Sequence, residues 1–445
     1  MAERVRSRGR HPTQLVVLAF SIAIAVGTAL LLLPVAHRSG QHPGVVRTFL
    51  TATSAVTVTG VAAVDIENWS LFGELVLLAL VQIGGFGIMT IGAVLALLAS
   101  ARLGLRQRMV TQAELGAVSA GDMRQLVGAI ARLTVVVELG VAVMLGLRFW
   151  QSGTEEPVRA FYSGLFHAIT AFNNAGVSLY PDSLTRFRSD GFVILVVTLA
   201  IIVGGLGFPV LVELRRRRGW RRWTLHTKLT MFMTAVLVIV GPLTILVFEW
   251  SNRGTLGTLG VVDKLLASWL QGVSPRSAGF NTISYAAMNP HTLMVVLGLM
   301  FIGAGSASTS GGIKVSTFAL IGAAVWSELR GDADTSVFRR RIPVVAVRQA
   351  ITVVILSITT VFAATLGLLV LADIDVFEGL FEATSAFGTV GLSLGVTGRL
   401  NAPAQVLLSL VMLAGRVGPT TFAAAFGVRD RQRLYRHPEE RPIIG

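Results

Sequence analysis

Apolar residues along this chain come in long unbroken runs, separated by short basic, polar or glycine-rich segments. A run of about 18 or more apolar residues is long enough to cross a bilayer as a helix. Eight such runs, at 14–36, 69–101, 126–150, 190–214, 226–250, 291–327, 345–372 and 402–428, each predict a transmembrane helix. The first is read as a span, because it is too long and too poorly provided with a cleavage site for a leader alone. Between paired spans lie apolar segments too short to cross, at 45–60, 159–176, 261–279 and 376–391. They predict re-entrant elements that enter the membrane and turn back.

These short segments share an ending. They close on Ser54-Ala55-Val56-Thr57-Val58-Thr59-Gly60, Thr170-Ala171-Phe172-Asn173-Asn174-Ala175-Gly176, Val273-Ser274-Pro275-Arg276-Ser277-Ala278-Gly279 and Ser385-Ala386-Phe387-Gly388-Thr389-Val390-Gly391. A second glycine cluster begins at Gly84, Gly204, Gly303 and Gly415, which is 24, 28, 24 and 24 residues after each closing glycine. Four strings at nearly fixed spacing mark a repeated unit. The fold expected is all-α and integral to the membrane. It consists of four tandem units of span, re-entrant pore loop and span around a pseudo-fourfold pore, with eight transmembrane helices. The units run over 1–110, 111–222, 223–335 (with a broken second span) and 336–428, and 429–445 form a C-terminal tail.

Composition supports the membrane class. The chain is 53% hydrophobic and only 14% charged, against roughly 25% charged in soluble domains. A net charge of +14 taken alone suggests nucleic-acid binding, but a mean hydropathy of +0.69 argues against it. The arginines instead sort by side. Arg4 to Arg10, Arg102 to Arg108, Arg215 to Arg222, Arg330 to Arg341 and Arg429 to Arg436 all fall on one side of eight alternating spans. Acids such as Asp65, Glu155, Asp182 and Asp375 fall on the other. The positive-inside rule then places both termini in the cytoplasm of a multi-pass cell-membrane protein. There is no cysteine, hence no thiol chemistry. No metal-ligand spacing or nucleophile–base pattern stands out, so no enzyme activity is expected.

The repeated strings suggest a chemistry. At membrane depth, irregular backbone is tolerated where it lines a water-filled path or is buried in protein. Four strings meeting at an axis would aim rings of carbonyl oxygens at it, replacing the hydration shell of a cation such as K⁺. Glycine suits the turn because it takes positive φ cheaply. The half-helix before each string directs its negative end toward the centre. The candidate cation-binding residues are Thr57, Val58, Thr59 and Gly60; Asn173, Asn174, Ala175 and Gly176; Arg276, Ser277, Ala278 and Gly279; and Gly388, Thr389, Val390 and Gly391. Hydroxyls of Thr57, Thr59, Ser277 and Thr389 are candidate additional ligands. Asn173 and Asn174 are read chiefly as braces. Arg276 is expected to turn away from the path and pair with Glu382 or Asp263. His167, Glu378 and Glu382 are read as hydrogen-bonded scaffold.

At these residues the chain resembles the Trk/Ktr/HKT superfamily of potassium transporters, in the form of its KtrB-type membrane subunits. The matching stretches are TSAVTVTG (53–60), ITAFNNAGVSL (169–179), VSPRSAGFNT (273–282), TSAFGTVGLS (384–393), FIGAGSASTSGGIK (301–314), LAGRVGPTTF (413–422) and YRHPEERPIIG (435–445), covering essentially the whole chain. The resemblance implies potassium uptake through a filter to which each loop gives one glycine, here Gly60, Gly176, Gly279 and Gly391. It implies a gate in the small-residue interruption of the sixth span, at Gly303, Ala304, Gly305, Ser306, Ser308, Gly311, Gly312 and Lys314. The family pattern has a proline and more glycines there than this chain does. Arg416, a charge inside an apolar span, corresponds to the family's arginine just inside the filter.

The resemblance further implies a homodimer, with the 438–445 tail near the subunit contact, and a separate cytoplasmic RCK-type ring (KtrA-like) that binds ATP or ADP. Sodium dependence, or symport, comes with parts of the family. No nucleotide is expected on this chain, since neither G-x-x-x-x-G-K-[ST] nor G-x-G-x-x-G occurs. A secondary carrier with broken helices for an organic substrate is the alternative. It would show inverted rather than parallel repeats.

Overall fold

A computed structural model describes residues 12–38, 42–61, 63–101, 123–217 and 219–418. The N-terminal arginines, Arg102 to Arg108, Arg218 and the whole 429–445 tail lie outside the described residues. The first unit comprises α1 (Pro12–Leu31), α2 (Val45–Thr57) and α3 (Leu71–Ala101). The second comprises α4 (Met123–Gln151), α5 (Pro157–Phe172), α6 (Gly191–Leu206) and α7 (Phe208–Arg216). The third holds α8 (Leu225–Glu249), α9 (Val261–Val273), α10 (Pro290–Phe301) and α11 (Val315–Arg330). The fourth holds α12 (Val344–Leu371), α13 (Val376–Gly388) and α14 (Ala402–Val417). A two-residue hairpin, β1 (Ser336–Val337) with β2 (Arg340–Arg341), links the third unit to the fourth.

Among the described residues, four helices are long and apolar enough to cross a membrane, within α1, α4, α8 and α12, and their outer faces carry exposed Ile, Leu, Val and Phe. These are the first spans of the four units. The second spans differ from the eight uninterrupted crossings that hydropathy alone suggests. The expected span at 190–214 bends by 96° between α6 and α7, at Gly207. Gly207 sits at φ +87°, and Phe208 N–H donates to the Ala307 carbonyl (3.2 Å). The bend is where another unit's loop inserts. The span at 291–327 is interrupted between α10 and α11, as the small-residue run predicts. The apolar stretch Leu71–Gly87 of α3 and helix α14 are shorter still.

The short helices α2, α5, α9 and α13 hold 13, 16, 13 and 13 residues. Thirteen residues rise only about 20 Å, less than the ~30 Å hydrocarbon core. Their C-terminal halves are buried, from Leu50 to Thr57 in α2 and from Phe381 to Gly388 in α13. Each second span packs on the short helix of the next unit: α3 on α5, α6 on α9, α10 on α13, and α14 back on α2. The last pair closes the chain into a ring.

The second glycines explain how the helices fit so closely. A Cβ at Gly84, Gly204 or Gly415 would lie 2.0, 1.9 or 1.8 Å from the carbonyl oxygen of Val56, Phe172 or Phe387, one turn before each closing glycine. The end of each short helix is therefore seated directly on glycine backbone. In the third unit this role falls to Gly241 of α8, against Gly272.

Candidate functional site

The four strings share one backbone conformation. Two residues before each closing glycine, Val58, Asn174, Ser277 and Thr389 take φ of 56°, 59°, 74° and 48°. The closing glycines Gly60, Gly176, Gly279 and Gly391 follow at 87°, 64°, 76° and 83°. Left-handed φ at a β-branched residue such as Val58 or Thr389 is rare and held only by its surroundings. Here the helix end holds it: Val58 N–H donates to Ala55 and Thr59 N–H to Ser54, and Thr389 and Val390 repeat the pattern with Ala386 and Ser385. Capping turns the chain out of the helix and leaves the next carbonyls free.

Those carbonyls form a closed ring. A Cβ on Gly60 would lie 2.0 Å from the Ala175 oxygen, and one on Gly176 would lie 2.8 Å from the Ala278 oxygen. One on Gly279 would lie 2.8 Å from the Val390 oxygen, and one on Gly391 would lie 2.1 Å from the Thr59 oxygen. Each glycine thus abuts the carbonyl before the glycine of a neighbouring string, in the order first, second, third, fourth, first. Thr59, Ala175, Ala278 and Val390 are fully buried, whereas the glycines after them are partly exposed. None of these four carbonyls accepts a hydrogen bond among the described residues. Buried carbonyls without partners are uncommon in proteins. A ring of four is a ready set of hard oxygen donors for a monovalent cation.

The hydroxyl-bearing residues of the strings brace them. Thr57 Oγ1 donates to the Thr53 carbonyl (2.7 Å) and lies 2.7 Å from Thr59 Oγ1. Ser277 Oγ lies 3.0 and 2.8 Å from the Gly388 and Thr389 carbonyls, tying the third string to the fourth. The Asn173 amide donates to Gln82 Oε1, Glu138 Oε1 and the Ile169 carbonyl, each at 2.9 Å. Glu138 Oε2 also accepts from Gln82 Nε2 (3.2 Å). A buried carboxylate on α4 thereby locks the second string to α3. Asn174 Nδ2 donates to Thr309 Oγ1 (2.8 Å).

A second set of braces holds the limb that leaves each string. His167 Nε2 lies 2.9 Å from Ser178 Oγ. Gln271 Oε1 accepts from Thr282 N–H, and its amide donates to the Ile283 carbonyl, both at 2.9 Å. Glu382 accepts from Ser393 and from Thr397 Oγ1 (2.9 Å for the latter). Three short helices use three chemistries for one task. In the first, Thr51 instead donates to its own helix, at the Arg47 carbonyl. Glu378 closes a capping box with Asp375 at the start of α13 and pairs with Arg399.

Arg276 departs from its expected pairing. Glu382 is occupied by hydroxyls of its own return limb, and Arg276 makes no ion pair with it or with Asp263 among the described residues. Its side chain is buried, Nε has no partner, and it lines a small cavity with Ile201, Ile202, Gly205, Val273 and Ala304. It therefore lies behind the third string, toward α6 and the interruption of the sixth span.

That interruption runs under the ring, touching the second, third and fourth units directly and the first through Arg416. Gly303 N–H donates to Ile313 (2.8 Å), pinching the loop shut, while Ile302 and Ile313 form a parallel bridge. Gly305 N–H donates to the Gly205 carbonyl (2.8 Å) and Gly312 N–H to that of Gly415 (3.4 Å). Gly311 N–H donates to Thr389 Oγ1 (3.0 Å) and Ser277 Oγ (3.4 Å). Ala304 N–H donates to Ser310 Oγ, Ser310 N–H to Ser308 Oγ, and Ser306 Oγ lies 3.0 Å from Ser316 Oγ. Lys314 Nζ donates to the Ser310 and Gly311 carbonyls, and Arg416 donates to the Thr309 and Gly84 carbonyls. Arg416 thus ties the loop to α3 of the first unit.

Three residues outside the glycine and charge patterns carry much of this arrangement. Thr309 uses N–H, carbonyl and hydroxyl at once, toward Gly204, Arg416, Phe172 and Asn174. Gln82 and Glu138 lie on separate spans and meet each other and Asn173. Glu138 inside an apolar run was the one available signal, since intramembrane acids are rare. Replacing Glu138 with leucine leaves the buried Asn173 and half-buried Gln82 carboxamides each short of a partner, at up to about 1–3 kcal/mol each. Glu138→Gln keeps the volume and one accepting oxygen but sets its N–H₂ against an amide donor. Thermal unfolding in detergent should therefore drop most for Glu138→Leu and by a smaller but definite amount for Glu138→Gln; equal drops would show that the carboxylate does not hold Asn173 by these contacts.

Residues 3–434 match the family model of the TrkH cation transport proteins. The chain is 38% identical over 440 residues to Ktr system potassium uptake protein B of Bacillus subtilis, covering 98% of this chain and 97% of that one. It is 36% identical to the protein of the same name from Vibrio alginolyticus, over 100% and 97% of the two chains. It is 32% identical to the potassium/sodium uptake protein NtpJ of Enterococcus hirae, over 100% and 99%. The crystal structure of the potassium transporter TrkH from Vibrio parahaemolyticus superposes with a TM-score of 0.77 at 18% identity, over 96% of this chain and 87% of that one. That likeness shows a common fold.

Proposed function

This chain belongs to the TrkH family of cation transport proteins, and from that premise we propose that it is a potassium-uptake membrane subunit whose four glycine-ended strings are its selectivity filter. It is a transporter, not an enzyme. The observation that carries the filter assignment is the closed ring of Thr59, Ala175, Ala278 and Val390 carbonyls, buried and without hydrogen-bond partners among the described residues. A dehydrating cation needs oxygens in a fixed ring, and capped helix ends with left-handed residues supply a stiff one. Four strings in cyclic order support a pore over a carrier built on inverted repeats. The unit boundaries at 1–110, 111–222, 223–335 and 336–428 follow from the same reading.

The interruption between α10 and α11 is the gate. Its hydrogen bonds reach the left-handed residues of three strings, at Asn174, Ser277 and Thr389, and Arg416 bridges it to the first unit. Lys314 and Arg416 set positive charge under the filter, which opposes cation passage while the loop is in place. Sodium enters as a second cation through the similarity to the potassium/sodium uptake protein. Similarity to Ktr system proteins supports a membrane subunit working with other components. We assign these as a second copy of the chain and a cytoplasmic RCK-type ring that binds ATP or ADP. The arginine-rich connections after the second, fourth and sixth spans face the cytoplasm, as do both termini, in the cell membrane.

Expression in a potassium-uptake-deficient strain tests the reading, with and without a Ktr-type regulatory subunit. Growth at low potassium should be restored, most strongly with the regulator present. Absence of rescue, with the protein in the membrane and the regulator supplied, would overturn it.

A further inference from the structure

Two arginine runs far apart in sequence meet in space. One is the connection from α7 to α8, with Arg215, Arg216, Arg221 and Arg222 exposed. The other is the hairpin between α11 and α12, with Arg339, Arg340 and Arg341 exposed. They are joined by aromatic contacts: the Phe338 ring lies 5.4 Å from Trp220, edge to face, and 6.0 Å from Phe232, while Trp220 lies 5.6 Å from Trp223. Phe338 and Arg339 hold left-handed φ of 49° and 62°, which aims the hairpin tip at that cluster. Among the described residues, Arg221, Arg222, Arg339 and Arg340 make no ion pair. Two acids of these connections are engaged, Glu213 accepting from Thr224 and Thr227 and Asp334 pairing with Arg341, while the exposed Asp332 makes no ion pair among the described residues.

Depth decides what such a surface faces. Phe232 lies seven residues into α8, about 10 Å from its start, and is 50% exposed on the flank that faces lipid. The hairpin tip that reaches it therefore lies against the side of the helix bundle, at the edge of the hydrocarbon. Trp220 is 43% exposed, and Arg221, Arg222, Arg339 and Arg340 beside it in the chain are exposed as well. Exposed phenylalanine, tryptophan and arginine grouped at the end of a span match the chemistry of a bilayer surface. We propose that the Trp220–Phe338 platform with Arg221, Arg222, Arg339 and Arg340 binds the headgroup of an anionic phospholipid. Planar guanidinium groups hold a phosphodiester in two-point hydrogen bonds, which a zwitterionic headgroup offsets with its own ammonium. The site lies outside the ion path, so it stands or falls separately from potassium transport.

The test uses the full-length protein in lipid nanodiscs, with phosphatidylglycerol or phosphatidylcholine brominated on its acyl chains. The chain has 7 tryptophans, so Trp220 fluorescence is isolated as the difference between wild type and Trp220→Phe. Brominated phosphatidylglycerol should quench Trp220 at about threefold or more lower mole fraction than brominated phosphatidylcholine. High salt should erase that preference in the wild type, and so should combined Arg221→Gln, Arg222→Gln, Arg339→Gln and Arg340→Gln at low salt. Equal quenching by the two lipids overturns the proposal. So does absence of quenching by either, which would make this face a protein-docking or aqueous surface, and so does a preference that survives the four substitutions.

Discussion

Alanine at Gly391 or Gly60 abolishes selective potassium uptake, with a loss of roughly a hundredfold or more expected from displacing a liganding group by about an ångström. The reason is twofold. Both glycines hold φ above 80°, where a Cβ costs about 1–2 kcal/mol. That Cβ would also sit 2.1 or 2.0 Å from the Thr59 or Ala175 carbonyl, so an oxygen of the proposed filter must move. Gly176 and Gly279 have more room, with first contacts at 2.5 and 2.8 Å, and their alanine variants should lose less. The ranking distinguishes steric displacement of carbonyls from a general need for glycine, which would make all four equal. Potassium and sodium uptake into proteoliposomes, with detergent stability measured beside them, reads the difference.

Deleting Ala304–Gly311 produces the opposite effect: flux rises about tenfold or more and becomes independent of the proposed regulatory subunit. The loop is held by backbone bonds to Gly205 and Gly415, by side chains of three strings (Asn174, Ser277 and Thr389) and by the Arg416 guanidinium. Hydrogen bonds to a charged group contribute about 1.5–3 kcal/mol each. Arg416→Gln, which removes that charge from Thr309 and Gly84, should therefore raise flux by a smaller but definite factor. Thr309→Val, which removes one hydroxyl, should follow it. Flux unchanged in a well-expressed deletion would remove the gate role. An Arg416→Gln protein with wild-type uptake would leave the arginine a purely structural link.

The hydropathy runs located the four first spans and the four short helices, because a bilayer demands contiguous apolar length and a half-length segment stands out. The closing glycines were legible for a similar reason: positive φ at Gly60, Gly176, Gly279 and Gly391 admits few other residues. What lay beside them was not. Val58 and Thr389 are strong strand-formers in composition, yet both are left-handed caps, because the helix carbonyls of Ala55 and Ala386 take up their own N–H groups and those of Ser54 and Ser385 the next ones. Asn173 announced a brace but not its partners, since Gln82 and Glu138 lie on two other spans. Arg276 suggested a carboxylate partner, and the fold gave that carboxylate to Ser393 and Thr397.

The sequence by itself determined a membrane protein of repeated span, half-span and span, its likeness to potassium transporters, and four glycines at the point of each turn. These follow from local constraints: apolar length, backbone freedom and the spacing of a repeat. Only the tertiary structure decided that the strings close into a ring, with each glycine against a neighbour's carbonyl. It also bent α6 from α7 where the interrupted sixth span crosses beneath the ring, and brought two distant arginine runs together at Trp220 and Phe338. Those outcomes depend on which surfaces meet across hundreds of residues. A carbonyl is most available as a ligand when no N–H reaches it, and that is a property of the assembled neighbours.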